Sequence, residues 1–273
     1  MLFDTHLHYG TNPLFNLPEE DLINMIKKYH IDIALVSNVN GAELDHKQNF
    51  IPMEFQKPQI EVLKESIAMA KKYKNVYIAP WIKPYTETCD KEFIQLVEEN
   101  LDIIKALKIH PYHSNVSLSD ARMEPYYKLA EKHHLTIVSH TGGCDAARSI
   151  HTVTAAKKHP SINFVMVHMD LGTDNEEALK CLGMADNIYG DTTWVPITTT
   201  IKAIKLYGSK KMIFGSDGPI DGVDTYKYNK SKERSIYQDY FEVLPKMISK
   251  DEYDDLMFKN AIKIFNIKLE DNK

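Results

Sequence analysis

Residues 1–10 read MLFDTHLHYG, and the reading of LFDTHLH (2–8) governs everything after it. Leu2 and Phe3 are apolar; Asp4, His6 and His8 then fall on alternating positions. In a strand, side chains repeat every second residue, so these three polar groups are expected on one face. Two imidazoles and a carboxylate aimed the same way are either metal ligands or surface groups beside a terminus. The spacing leaves both open, and later strands have to supply the remaining ligands.

The rest of the chain repeats that beginning. Short apolar runs at 32–38, 75–81, 106–110, 135–140, 162–168, 187–191 and 211–217 read as strands. Near-continuous apolarity is expected where helices cover one face of a strand and the other fills a barrel. Segments 18–30, 59–73, 91–104, 123–134, 146–158, 175–184 and 197–208 read as helices, several opening on Pro or acidic residues. Two more, 236–248 and 251–265, follow the eighth strand. No Gly/Ser/Pro-rich linker interrupts the rhythm. The prediction is an α/β fold: a single (β/α)8 TIM barrel with one domain over 1–273, near the usual size of roughly 250 residues. The alternative, a doubly wound sheet, lacks its glycine-rich phosphate loop after the first strand.

Composition narrows the partners. A net charge of −5 and pI near 6.2 argue against nucleic acid. Only Arg122, Arg148 and Arg234 are arginines, so each invites inspection. Cys89, Cys144 and Cys181 are far apart, which fits a reducing compartment and offers no thiolate zinc site. With no apolar run near ~20 residues and no room before the first strand for a leader, the expectation is a cytoplasmic chain without membrane contact.

In barrel enzymes the active site lies at the C-terminal strand ends. Here those ends read HLH, KIHP, VSHTGG, MVHMDLG and FGSDGP, placing His6, His8, His110, His140, His168 and Asp217 at one rim. The second, third and seventh strands end in Asn38, Trp81 and Asp191, which carry no obvious chemistry. His30, His46, His133, His134, His151 and His159 fall on helices and loops and read as ordinary surface groups. Neutral imidazole and carboxylate suit Zn²⁺, Mn²⁺ or Fe²⁺, and a catalytic site needs about three or four such ligands. His6 and His8 are accordingly read as two ligands of one cation.

DTHLH, VSHTGG, VHMDLG and FGSDGP, in that order, resemble the amidohydrolase superfamily, in the branch that includes aminocarboxymuconate-semialdehyde decarboxylase. The likeness runs on through KKHPSINFVMVHMDLG, NIYGDTT and KNAIKIF and spans essentially the whole chain. The resemblance implies the same barrel. It also implies that His6, His8, His140 and Asp217 hold one divalent metal, Zn²⁺ first and Mn²⁺ or Fe²⁺ otherwise. His168 would stand beside the activated water, and Asp217 would also accept a proton. Binuclear relatives place a carboxylated lysine or glutamate on the fourth strand. In ALKIHPYH, Lys108 and His110 share a face, so Lys108 has three roles open: a carboxylated bridge, a partner for a substrate carboxylate, or a neutralising charge. Barrels of the group often associate, so the resemblance implies a homodimer as the expected assembly.

On the substrate side, Arg148 follows TGGCDAA and could clamp a carboxylate, its alternative being a surface arginine. Trp81, Tyr85, Tyr112 and Trp194 follow strand ends and are candidates for an apolar wall. The long segments 39–57 and 218–235 are candidate lids, Gly142 and Gly143 permit a close backbone turn, and Cys144 reads as packing. The leading expectation is hydrolysis of an amide, ester or lactone carbonyl in a small, carboxylate-bearing substrate. A lyase, decarboxylating or hydrating an unsaturated acid, is the alternative; a non-catalytic metal-binding barrel ranks last.

Overall fold

The computed structural model describes residues 1–269, and eight parallel strands run through it in the expected order. They are β1 (Phe3–Thr11), β2 (Ile33–Asn38), β3 (Val76–Ile78), β4 (Ala106–Ile109), β5 (Thr136–Gly142), β6 (Phe164–Leu171), β7 (Ile188–Asp191) and β8 (Met212–Ile213). β1 to β3 form one run and β4 to β8 another. Both seams between the runs are bonded. At the first, Lys108 N–H donates to Pro80 C=O and Ile82 N–H to Lys108 C=O, each at 2.8 Å. At the second, Thr5 N–H reaches Phe214 C=O at 3.0 Å and Asp217 N–H reaches His6 C=O at 2.8 Å. The sheet therefore returns on itself as a (β/α)8 barrel. β8 is shorter than expected because, beyond Ile213, the backbone bonds to β1 and to the Thr192 hydroxyl instead of continuing along β7.

The crossover helices are α1 (Glu19–Lys28), α2 (Gln59–Ala70), α3 (Lys91–Glu98), α4 (Glu124–His133), α5 (Ser149–Lys158), α6 (Glu176–Leu182) and α7 (Ile197–Tyr207). Acidic residues open α1 and lysines close it, matching the helix dipole. α3 stops six residues short of the expected end. Asn100 beyond it folds its amide back to Leu96 C=O at 2.9 Å, freeing Ile104 to bridge to β3. α5 starts three residues late because Ser149 N–H and Oγ both donate to Asp170 (3.1 and 2.7 Å) and leave Arg148 extended. A two-residue strand, Asn16–Leu17, which the apolar pattern does not predict, pairs antiparallel with the end of β1. Asn12 Oδ1 organises that turn by accepting the Leu14 and Phe15 N–H groups.

Two apolar layers flank the sheet. Phe3, Ile33, Leu35, Val138, Val165 and Ile213 fill the barrel, and Ile264 and Phe265 plug its base, with Phe265 5.9 Å from the Phe3 ring. Leu7, Val36, Ile78, Leu107, Ile137 and Phe164 face the helices. Phe3 inside and Leu7 outside cannot both obey a period of two. The register explains it: Asp4 pairs with Ala34 but Leu7 with Val36, three steps on β1 against two on β2. This β-bulge reverses the side-chain parity. Asp4 consequently does not share the face of His6 and His8. It turns outward, accepting from the Ser216 and Tyr226 hydroxyls, and burial pushes its carboxyl up to about 7. Among the described residues no helix is long and apolar enough to cross a membrane.

Phe265 is buried at the barrel base. Phe265→Ala is expected to cost about 3–5 kcal/mol in urea unfolding, the usual price of an unfilled aromatic site. A loss below about 1 kcal/mol would mean the base closes by other contacts.

Candidate metal centre and active site

Beyond the bulge, His6 and His8 project into the rim. Their Nε2 atoms face each other at 2.9 Å, and each lies 3.1 Å from Asp217 Oδ1. His8 Nδ1 is 3.2 Å from Ser37 C=O. A carbonyl can only accept, so Nδ1 carries the hydrogen and Nε2 presents its lone pair. His140 follows the same logic in reverse. Its Nε2 donates to Gly142 C=O at 3.2 Å, leaving the Nδ1 lone pair buried without a hydrogen-bond partner among the described residues. His6, His168 and Asp217 each offer a donor atom within 4.8 Å of the others.

Tetrahedral ligands at 2.0–2.1 Å from zinc stand about 3.3 Å apart. The 2.9–3.1 Å separations among His6, His8 and Asp217 are close to that edge. Lone pairs crowded this way repel one another unless a cation or proton lies between them, so the donor set fits a divalent ion. Its charge state fits as well. Burial drives His6, His140 and His168 well below the ordinary imidazole range, His140 to about 3 with Lys108 reinforcing it. Neutral imidazole is the ligating form. For Asp217, burial pushes the carboxyl up, but a proton donated from His6 or His8, whose place a bound cation would take, brings it well below the carboxylate range.

Strand irregularities aim these groups. On β6, Val167 pairs with His140 but Leu171 pairs with Gly142, so two extra residues bulge inward. His168, Met169 and Asp170 all adopt left-handed backbone, with φ of 72°, 47° and 67°. The bulge is held at three points. His168 N–H donates to Asp191 at 2.9 Å, Asp170 N–H to the Thr141 hydroxyl at 2.8 Å, and the Asn175 amide to Met169 C=O at 2.7 Å. Asp191, unremarkable in the sequence, therefore holds His168. Gly142, at φ +101°, has no room for a side chain: a Cβ would lie 2.2 Å from Leu171 N. Its close approach is to the neighbouring strand.

The cluster floors a cavity of about 230 Å³, walled by Phe15, Val39, His46, Trp81, His110, Tyr112, His113, Gly143, Leu171 and Ile220. Trp81, His110 and His140 stack face to face, with centroid spacings of 5.0 and 3.9 Å. Trp81, His110 and Tyr112 thus lie where the sequence suggested. Four other candidates do not line the cavity. Arg148 is not positioned as a clamp: Nη2 donates to both Glu177 oxygens at 3.0 Å on the surface, a consequence of the break before α5. Tyr85 is exposed against Phe50 and Arg122. Trp194 turns its indole N–H to Asp217 Oδ2 at 3.0 Å. Lys108 is buried below the imidazoles, with Nζ 3.5 Å from His6 Nδ1, and burial lowers its pKa to about 8.

The wall also takes residues that the sequence does not single out: His46, which reads as surface, and His113 and Phe15, among others. The signal for His113 was its place three residues after His110 in HPYH, one helical turn on. His113 also moors the segment 39–57, because its C=O accepts the Glu43 and Leu44 N–H groups at 3.1 and 2.8 Å. That tie carries His46 over the cavity. From the other long segment, 218–235, Ile220 reaches the wall.

A barrel rim with buried imidazoles, a carboxylate and a cavity above them is the active-site arrangement of an enzyme. The sequence model of the family described as Amidohydrolase matches residues 67–267, and the chain belongs to that family. The match covers His140, His168 and Asp217 and begins after His6 and His8. No curated protein matches the chain. Solved structures do. 5-carboxyvanillate decarboxylase from Novosphingobium aromaticivorans, complexed with manganese and 4-hydroxy-3-methoxy-5-nitrobenzoic acid, is 11% identical, with 98% of this chain and 96% of that one covered and a TM-score of 0.71. IDCase from Metarhizium anisopliae, in apo form, is 12% identical over 97% of both chains, with a TM-score of 0.67. A probable 2-pyrone-4,6-dicarboxylic acid hydrolase from Acinetobacter baumannii, with citric acid bound, is 13% identical, covering 97% and 99%, with a TM-score of 0.63. At these identities the likeness is one of fold.

Glu43, in the moored segment, is buried. Its Oε1 accepts from Thr86 N–H and Oγ1 (2.7 and 2.6 Å), while Oε2 has no hydrogen-bond partner among the described residues. Burial pushes its carboxyl up to about 7, against the pull of the Thr86 bonds. Between the ordinary carboxylate range and pH 7 the unfolded chain ionises first, so this residue's contribution to stability falls as pH rises. Glu43→Gln is expected to stabilise the protein by about 2 kcal/mol at pH 8 and by almost nothing at pH 4.5. Urea midpoints at both pH values check this; a difference independent of pH would refute it.

Proposed function

We propose that this amidohydrolase-family chain is a mononuclear metal-dependent hydrolase acting on an amide, ester or lactone carbonyl of a small, flat substrate. The observation that carries the reading is the convergence of His6 Nε2, His8 Nε2 and Asp217 Oδ1 at 2.9–3.1 Å. His6, His8 and Asp217 would hold the cation, with the unpartnered Nδ1 of His140 as fourth donor. A divalent ion there, Zn²⁺ in the first instance, supplies a Lewis acid that acidifies water and polarises a carbonyl oxygen.

The chain's own groups provide the rest. His168 is neutral, and its buried Nδ1 has no hydrogen-bond partner among the described residues, so it can take up or donate a proton at that atom. Asp217 is ionised and can carry a proton from water to a leaving group. The Trp81–His110–His140 column, with Phe15 and Tyr112 also on the wall, orients a planar body and excludes water. With Arg148 paired to Glu177, no arginine among the described residues lines the cavity, and its largely aromatic wall suits an uncharged substrate body beyond the reacting group.

A second reading is decarboxylation of a flat conjugated acid. The stacked column favours it, since a planar ring seated there would place a ring carboxylate over the imidazole cluster.

Metal analysis is expected to find about one zinc per chain, lost in His6→Ala and Asp217→Asn. About two metals per chain would instead assign Lys108 to a bridge, and none, even after reconstitution with Zn²⁺, Mn²⁺ or Fe²⁺, would overturn the proposal. A panel of aryl lactones, esters, amides and aromatic acids run in ¹⁸O-labelled D₂O separates the two chemistries. Hydrolysis puts ¹⁸O into the product acid. Decarboxylation releases CO₂ and leaves deuterium on carbon.

A further inference from the structure

The Asp217 carboxylate is held at both oxygens, but from two different directions. Oδ1 faces the two imidazoles at 3.1 Å, and Oδ2 accepts the Trp194 indole N–H at 3.0 Å. Trp194 arrives from the turn after β7 and has left-handed backbone, φ 59°, a conformation a bulky residue adopts only when its surroundings impose it. Those surroundings are visible. Trp194 N–H donates to the Tyr237 hydroxyl at 3.1 Å, and the two rings lie 6.0 Å apart. Tyr237 is itself fully buried among Phe214, Tyr226 and Tyr240. A rigid path thus runs from the outer aromatic layer, through one strained tryptophan, to the carboxylate.

We infer that Trp194 is a positioning residue: its indole N–H fixes the rotation of the Asp217 carboxylate, so that Oδ1 faces His6 and His8. The inference rests on the metal reading above and adds a determinant of it. An acidic N–H on the outer oxygen of a metal-binding carboxylate is the kind of outer contact that orients a ligand before the ion arrives. A tryptophan suits this position because indole donates only, so it cannot compete with Asp217 for the cation. Asp217 is otherwise free to rotate about its last torsion, which is broad for a carboxylate. Without the indole bond, the carboxylate could settle at other values of that torsion with neither oxygen aimed at the imidazoles, and the site would have to order itself on binding.

The test uses Co²⁺ alone as probe, titrated into metal-free full-length protein by calorimetry and by its visible absorption. Trp194→Phe keeps the ring and removes the donor. Its Co²⁺ affinity is expected to fall about 10- to 100-fold, the usual effect of losing an outer-shell partner. The Co²⁺ absorption bands should shift, while the thermal midpoint of the metal-free protein stays at the wild-type value. Tyr237→Phe, which loosens Trp194 without touching Asp217, should move affinity in the same direction by a smaller factor; it serves as the test if Trp194→Phe does not fold. Wild-type affinity and spectrum in Trp194→Phe, or in Tyr237→Phe should that be the testable variant, would overturn the inference and leave the metal reading intact. Failure of the wild-type chain to bind Co²⁺ would overturn both.

Discussion

The site depends on how the barrel closes. Asp217 N–H donates to His6 C=O at 2.8 Å, and His8 N–H donates to Gly218 C=O at the same distance. These backbone bonds join the last strand to the first. They also place a carboxylate from one end of the sequence against two imidazoles from the other. Barrel closure and assembly of the donor set are therefore one event. Neither depends on a flexible loop, because the donors stand on strand ends whose register those backbone bonds hold.

Closure brings an electrostatic problem with it. Several imidazoles, Lys108 and two carboxylates, Asp191 and Asp217, are buried within the same few ångströms. Burial resolves most of it by keeping the imidazoles neutral, which is the state a cation requires. Asp217 remains charged because a shared proton or cation faces Oδ1 on the imidazole side and an indole N–H caps Oδ2. Asp191 serves differently, accepting the His168 and Thr193 N–H groups and so fixing the bulge. The polar layer at the rim is consequently rigid in the way a well-bonded network is.

Above that layer the wall is assembled by contacts distant in sequence. The short strand after β1 carries Phe15 inward, and His113 anchors the segment that brings His46 across. Arg148, nearer to His140 along the chain than either, is turned away by two hydrogen bonds from Ser149 to Asp170. Proximity in sequence is a poor guide here, because one broken helix turn redirects a long side chain entirely.

The sequence by itself determined the barrel, its strand order and the ring of histidines and aspartate at the strand ends. Apolar periodicity is a local property, and eight repeats of it leave few ways to bury every strand. It also singled out His6, His8, His140, His168 and Asp217 as a group, since strand ends share one rim whatever the details. Tertiary structure alone decided what departs from period two. The bulge at Asp4 sends that carboxylate outward, and the left-handed run at His168 turns an imidazole in. Trp194, expected on a substrate wall, binds Asp217 instead, while His113 and His46 take up places on it. The physical reason is common to all of them. A bulge, a cap or a hydrogen bond to a partner a hundred residues away is set by what lies opposite, and the local sequence does not record it.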